Sequence, residues 1–199
     1  MKLYDAAVSG NAYKVRLMLA LLGRDYETVS INLPAKEQKT AEYLAVNPLG
    51  QVPALDDDGY VIRASPAILA YLARKYGGED WLSSDADGLG EVMQWLSFSA
   101  NEMINGPAIS RALIKFNRQG DLELAQTRAR AALGILDGRL ADNDWLALGR
   151  PTIADIACYP YAGLVWEGQI EIDAYPALKP WFARIEALPG YVGMDGLGG

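Results

Sequence analysis

Two serines in this chain stand directly before helix-forming runs, and both are placed to act on anions. Ser9 precedes an apolar stripe of Val15, Met18, Leu19 and Leu22 at helical spacing. Ser65 is followed by Pro66, the order expected of an N-cap and a first helical position. A helix start carries unpaired N–H groups and the positive end of the helix dipole, so it attracts negative charge. At the level of local sequence, plain capping explains each serine equally well. Between them lies a polar stretch with Lys36, Gln38, Lys39 and Gln51, whose lysines read most simply as solvated, as lysines in loops usually are. Val52-Pro53 taken alone is an ordinary turn before a strand.

What the chain lacks narrows the chemistry. Its 199 residues contain no histidine and one cysteine, Cys158. That removes Ser-His and Cys-His nucleophile pairs, HExxH zinc sites, CxxC redox pairs and any internal disulfide. The net charge is −7, without a basic run, which argues against nucleic acid as a partner. The early apolar run Leu17 to Leu22 is six residues long, far short of the roughly 20 needed to span a membrane. It also follows charged residues that a signal peptide would not carry. A cytoplasmic location is the expectation.

These residues need elements to hold them, and the pattern changes along the chain. Residues 1–78 carry nine basic and eight acidic side chains, against nine and seventeen in 79–199. The first part predicts strands at Lys2 to Tyr4 and Tyr26 to Ile31, with a helix from Asn11 to Leu22 closed by Gly23 between them. A short helix over Thr40 to Val46 stops before Asn47-Pro48. Val52 to Leu55 and Tyr60 to Ile62 flank the hairpin signal Asp57-Asp58-Gly59. A last helix runs from an N-cap at Ser65 to Gly77. The order βαβαββα implies a small mixed sheet covered by helices. Gly77 to Asp85 has the composition of a linker, placed at 79–86. Residues 87–199 read as all helical. Ala125, Ala129, Ala132, Leu136 and Leu140 make one stripe, and Trp181, Ile185 and Leu188 another. Thr152 to Asp155 has the form of a capping box, and the glycine-rich tail 193–199 is expected to be mobile.

Four segments then carry a resemblance. They are Ser9-Gly10-Asn11-Ala12-Tyr13-Lys14-Val15-Arg16, Asn47-Pro48-Leu49-Gly50-Gln51-Val52-Pro53-Ala54-Leu55, Ser65-Pro66-Ala67-Ile68 and Pro151-Thr152-Ile153-Ala154-Asp155. In this order, across essentially the whole chain, the sequence resembles the cytosolic glutathione S-transferase superfamily, in particular its bacterial serine-type or theta-like members. The resemblance implies an α/β thioredoxin-like glutathione-binding domain over 1–78, an all-α domain over 87–199 that carries the electrophile, and a homodimer. It implies that Ser9 hydrogen-bonds the glutathione sulfur, with Asn11 a secondary candidate and Tyr4 a weaker rival. A hydroxyl donor at a helix start lowers a thiol pKa from its usual ~8.5, so no histidine base is required. It further implies a cis Val52-Pro53 bond, with main chain facing the cysteinyl backbone of glutathione, and Ser65 on the γ-glutamyl carboxylate. Gln51 or Lys36 is expected to hold the glycyl carboxylate.

Two departures qualify this picture. The family places an acid or amide before the serine of the second motif, and here that residue is Ala64. Alanine cannot accept a hydrogen bond from the ligand's α-ammonium, a loss of roughly 1.5–3 kcal/mol, or about ten- to a hundredfold in affinity. Arg63 beside it partly offsets this by attracting carboxylates. Ala12 occupies a place where many relatives carry cysteine, which disfavours thiol–disulfide exchange by the chain itself; Cys158 reads as a small core residue. No metal-ligand spacing appears. Asn101, Met103, Ile109, Arg111 and Trp166 are candidates for the electrophile pocket, although core or interface predicts them as well. The expected activity is addition of the glutathione thiolate to a small hydrophobic electrophile. The alternative is a non-catalytic binding or dimerisation module with weakened glutathione affinity.

Overall fold

The computed structural model describes residues 1–197. Strands β1 (Lys2–Asp5), β2 (Glu27–Ser30), β3 (Ala54–Asp57) and β4 (Tyr60–Arg63) form one sheet in the order β2-β1-β3-β4. β1 and β2 run parallel across the crossover helix α1 (Gly10–Leu21), and β3 runs antiparallel to β1 and β4. Leu3 pairs with Leu55 across the centre, and both are fully buried. The β3–β4 turn uses Asp58 and Gly59, both at positive φ as a tight hairpin requires. Gly23, also at positive φ, ends α1 by donating to the Ala20 carbonyl. Helix α2 (Ala41–Val46) and helix α3 (Ser65–Leu72) complete a thioredoxin-like arrangement.

The strand expectations were one or two residues too long at Tyr26, Ile31, Val52 and Pro53. The larger correction concerns α3. Ser65 is its first helical residue, and the N-cap position belongs to Ala64, whose side chain caps nothing. The helix also ends at Leu72 and continues to Gly77 only as a wider π turn.

The remainder is helical: α4 (Ala86–Met103), α5 (Ile109–Lys115), α6 (Leu122–Leu140), α7 (Ile153–Gly163) and α8 (Leu178–Glu186). A π turn at Ile104–Ala108 separates α4 from α5 and contains Pro107, which has no N–H to give to the α-helical ladder. Every residue of the predicted stripe on α6 is buried, as are Trp181 and Ile185; Leu188 lies past the end of α8. The tail expectation holds poorly over 193–197. Leu197 is buried and bridges back to Met194, while Gly198 and Gly199 fall outside the described residues.

Helix α7 runs through the middle of this bundle, and Asp155 fixes its start. Its carboxylate takes the Thr152 N–H and hydroxyl, the Leu146 N–H at 3.0 Å and the Trp181 indole N–H at 2.9 Å. The predicted capping box is therefore present, and it also ties α7 to α8 and to the preceding loop. Burial pushes the Asp155 carboxyl up to about 6, although all four donors favour its charge.

Two predictions follow from this packing. Gly106 lies against α6 so closely that a Cβ would stand 2.5 Å from the Ala129 nitrogen. Gly106→Ala should lower stability by about 1–3 kcal/mol in thermal unfolding, outweighing the helix propensity that alanine adds; an unchanged Tm would contradict the packing. For Asp155, the folded carboxyl binds its proton near pH 6 and the unfolded one near 3.8. Between those values the folded state holds more protons, so this group adds stability as pH falls. Asp155→Asn should cost about 1–3 kcal/mol at pH 7. In urea titrations its deficit against wild type should widen by about 1 kcal/mol at pH 5.

Candidate active site

A cleft of about 620 Å³ separates the sheet domain from the helical bundle. The starts of α1 and α3 and the loop before β3 form one wall. Ser99, Ile104, Ile109, Arg111, Phe116 and Tyr161 from the bundle stand among the residues opposite.

Ser9 is the N-cap of α1, and its Oγ accepts from the Ala12 N–H at 3.2 Å. That bond uses a lone pair and leaves the hydroxyl hydrogen free to donate into the cleft. Capping and chemistry are thus compatible. The Ser65 hydroxyl donates to Asn11 Oδ1 at 3.2 Å, which holds the starts of α3 and α1 side by side. Ser9, Asn11 and Ser65 therefore come together as expected. Ala64 borders them at φ 67 and ψ 119, a conformation that costs a non-glycine residue about 1–3 kcal/mol.

The loop before β3 is pinned from below. The Tyr43 hydroxyl and the Asn47 amide both donate to the Gln51 carbonyl, at 2.6 and 2.7 Å. Gly50, at φ 58, leaves no room for a side chain against the Gln38 carbonyl. The Val52-Pro53 bond is cis. Gln38, Lys39, Gln51, Val52 and Pro53 all line the cleft. Lys36 does not. It sits exposed at left-handed φ 58 before a short 3₁₀ turn, and Lys39 is the cation of this loop that lines the cleft.

Two of the most informative residues, Tyr161 and Lys14, are ones that motif reasoning passed over, while Arg111 lines the cleft as a pocket candidate should. Tyr161 of α7 packs its ring onto Gly10, where a Cβ would come within 2.8 Å of it. Lys14 is fully buried beneath that ring, its Nζ 5.2 Å from the ring centroid, and donates to Ser99 Oγ at 2.9 Å. Burial lowers its pKa to about 8. The signal was available: Lys14 lies four residues before Met18, on the apolar side of α1. Arg111 pairs with Glu167 and gives Nη1 to the Val8 carbonyl at 2.9 Å, leaving Nη2 without a partner. Of the other pocket candidates, Ile109 lines the cleft, whereas Met103 is in the core, and Asn101 and Trp166 are exposed away from it. The Cys158 thiol is buried, and desolvation raises its pKa, so it supplies no thiolate.

Family profiles match both parts of the chain: "Glutathione S-transferase, N-terminal domain" over residues 1–74 and "Glutathione S-transferase, C-terminal domain" over 92–189. The chain belongs to the glutathione S-transferase family. A solved structure described as a possible glutathione S-transferase from Rhodopseudomonas palustris is 34% identical, with a TM-score of 0.90 over 98% of this chain and 97% of that one. A glutathione transferase homologue from Lodderomyces elongisporus, solved with two GSH per subunit, is 26% identical, with a TM-score of 0.84 over 95% and 94%. Among curated relatives, the disulfide-bond oxidoreductase YfcG of Escherichia coli is 29% identical over 92% of this glutathione S-transferase chain and 89% of its own length. Reactions differ within the family, so the side chains in the cleft have to carry the functional argument.

Proposed function

We propose that this protein is a glutathione transferase that adds the glutathione thiolate to a small electrophile. The carrying observation is the Ser9 hydroxyl, whose lone pair caps α1 and whose hydrogen is left for an acceptor in the cleft. Glutathione lies on residues 1–78, and the electrophile rests against the helical domain 87–199, with 79–86 as the link. The γ-glutamyl carboxylate sits at the uncapped start of α3 beside Ser65, and Asn11 fixes that serine. The Val52 main chain meets the cysteinyl backbone, and Gln51 or Lys39 meets the glycyl carboxylate. A homodimer is the expected assembly.

The chemistry needs no proton shuttle. The Ser9 O–H and the free N–H groups of α1 stabilise the ligand's thiolate over its thiol. The sulfur then forms a bond to the electrophilic carbon, and with an aryl chloride the carbon–chlorine electron pair leaves as chloride. Rate comes from thiolate population and from proximity. Ala64 favours one competing reading, a non-catalytic module, because the ligand's α-ammonium finds no acceptor side chain at that position.

Two variants test these assignments. Ser9→Ala should lower kcat/KM for 1-chloro-2,4-dinitrobenzene about ten- to a hundredfold at pH 6.5 and move the pH–rate midpoint upward, because the thiolate loses a charge-assisted hydrogen bond. An unshifted midpoint removes Ser9 from the site. Ala64→Glu should tighten glutathione binding in calorimetry by about tenfold or more. If affinity stays the same, position 64 does not limit binding. Wild-type protein that neither binds immobilised glutathione nor turns over would support the module.

A further inference from the structure

We infer that the electrophile half of the cleft takes a substrate bearing a carboxylate, gripped by Lys14 from α1 and by Arg111 from the helical wall. This rests on the transferase reading and names the class of its second substrate.

The charge distribution comes first. The chain carries a net charge of −7. Yet the described residues lining the cleft include Lys14, Lys39, Arg111 and Arg118 and not one Asp or Glu. An apolar electrophile gains nothing from such a wall, whereas an anion is drawn into it.

Lys14 is the sharper observation. Most other cations drawn into the structure have a carboxylate: Arg16 has Asp5, Lys75 has Asp57, and Arg111 and Lys115 share Glu167, while the half-buried Arg150 has the Asp80 and Glu79 carbonyls. Lys14, with no exposed surface, has only the neutral Ser99 hydroxyl, whose own hydrogen goes to the Ala157 carbonyl at 2.6 Å. An ammonium has three donors, and one of them is used. A buried charge without a counter-ion is among the costliest arrangements in a protein interior. An anion entering the cleft supplies that missing partner. At pH 7 the group is still largely protonated, since its pKa of about 8 lies above that.

Arg111 supplies a second donor. Its Nη2 is buried and unpartnered. The Phe116 ring lies 5.1 Å from the guanidinium carbon and is 38% exposed, so it is the cover that would move aside. Neither cation is needed by glutathione, whose two carboxylates are assigned to Ser65 and to Gln51 or Lys39. The position also suits the reaction. Tyr161 stands between Gly10 and Lys14, so an anion held at Lys14 lies just behind the start of α1, where the sulfur is expected.

The test compares 3-nitrobenzoate with 3-nitrobenzamide, which are alike in shape and differ in charge. Calorimetry on the full chain, with and without saturating S-methylglutathione, should show the acid binding at least tenfold tighter. In Lys14→Met that preference should fall to within about threefold, while the Tm stays level or rises, because an unpaired buried charge has been removed. Equal affinities in wild type, or a preference that survives in Lys14→Met, would overturn the assignment; the wild-type comparison decides alone if the variant fails to fold. Turnover separates the two claims. With 4-chloro-3-nitrobenzoate and 4-chloro-3-nitrobenzamide, each rate divided by its uncatalysed rate with glutathione, the acid should be favoured. Catalysis of the amide without preference for the acid sinks this inference alone. Catalysis of neither sinks the transferase reading, and the binding arm still judges this one.

Discussion

An aromatic ring resting on a bare glycine sets the geometry of the cleft. Because Gly10 has no side chain, Tyr161 can approach to where a Cβ would be 2.8 Å away. This puts α7 of the helical bundle directly against the start of α1. Two polar contacts then cross between the halves around the same point. Lys14 reaches Ser99, and Arg111 reaches the Val8 carbonyl. Ser9 stands beside Gly10 at the start of α1, with its N–H on the Ala6 carbonyl at 2.8 Å and its Oγ capping the helix.

Two fully buried charges show how differently one protein can treat the same physical problem. Asp155 takes four hydrogen bonds from three segments, and its burial serves to join them. Lys14 has a single acceptor, and its burial joins little that apolar contact would not. Desolvation opposes both charges and moves both pKa values toward neutrality, the carboxyl upward and the ammonium downward. The difference lies in what surrounds them. Asp155 is closed in by its partners, while Lys14 lies under the Tyr161 ring in the wall of the cleft with a single acceptor.

Much of this was legible in the amino-acid sequence because it rests on local rules. Helix spacing located α1 and α6, glycine marked the end of α1, and the Thr152 to Asp155 pattern announced a capping box. Three of the expected ligand residues, Ser9, Asn11 and Ser65, meet as anticipated, since each lies at or near a helix start. Lys36 lies outside the cleft, exposed at a left-handed φ that spacing cannot express, while Lys39 three residues on lines it. Arg111 was a candidate from its helical position, but Tyr161 depends on how α7 packs against α1, a contact between residues more than a hundred positions apart. Only Lys14 was hidden in plain sight, a cation on an apolar face.

Ala64 shows a local cost that folding alone does not explain. Helices α1, α2, α4, α6 and α7 begin with a serine, threonine or aspartate that caps them. Helix α5 continues from the π turn, and near the start of α8 the Ala177 N–H is taken by Asp137. Helix α3 has neither device. Its N-cap is an alanine in a strained, positive-φ conformation with no polar atom to offer. Any residue with a short polar side chain would stabilise this end by about 1 kcal/mol. Left uncapped at the edge of a cleft lined by cations, the start of α3 instead keeps its N–H groups unpaired. That arrangement is costly in the empty protein and favourable once a carboxylate occupies it. On the proposed transferase reading, the stability missing from α3 is what the ligand's carboxylate restores.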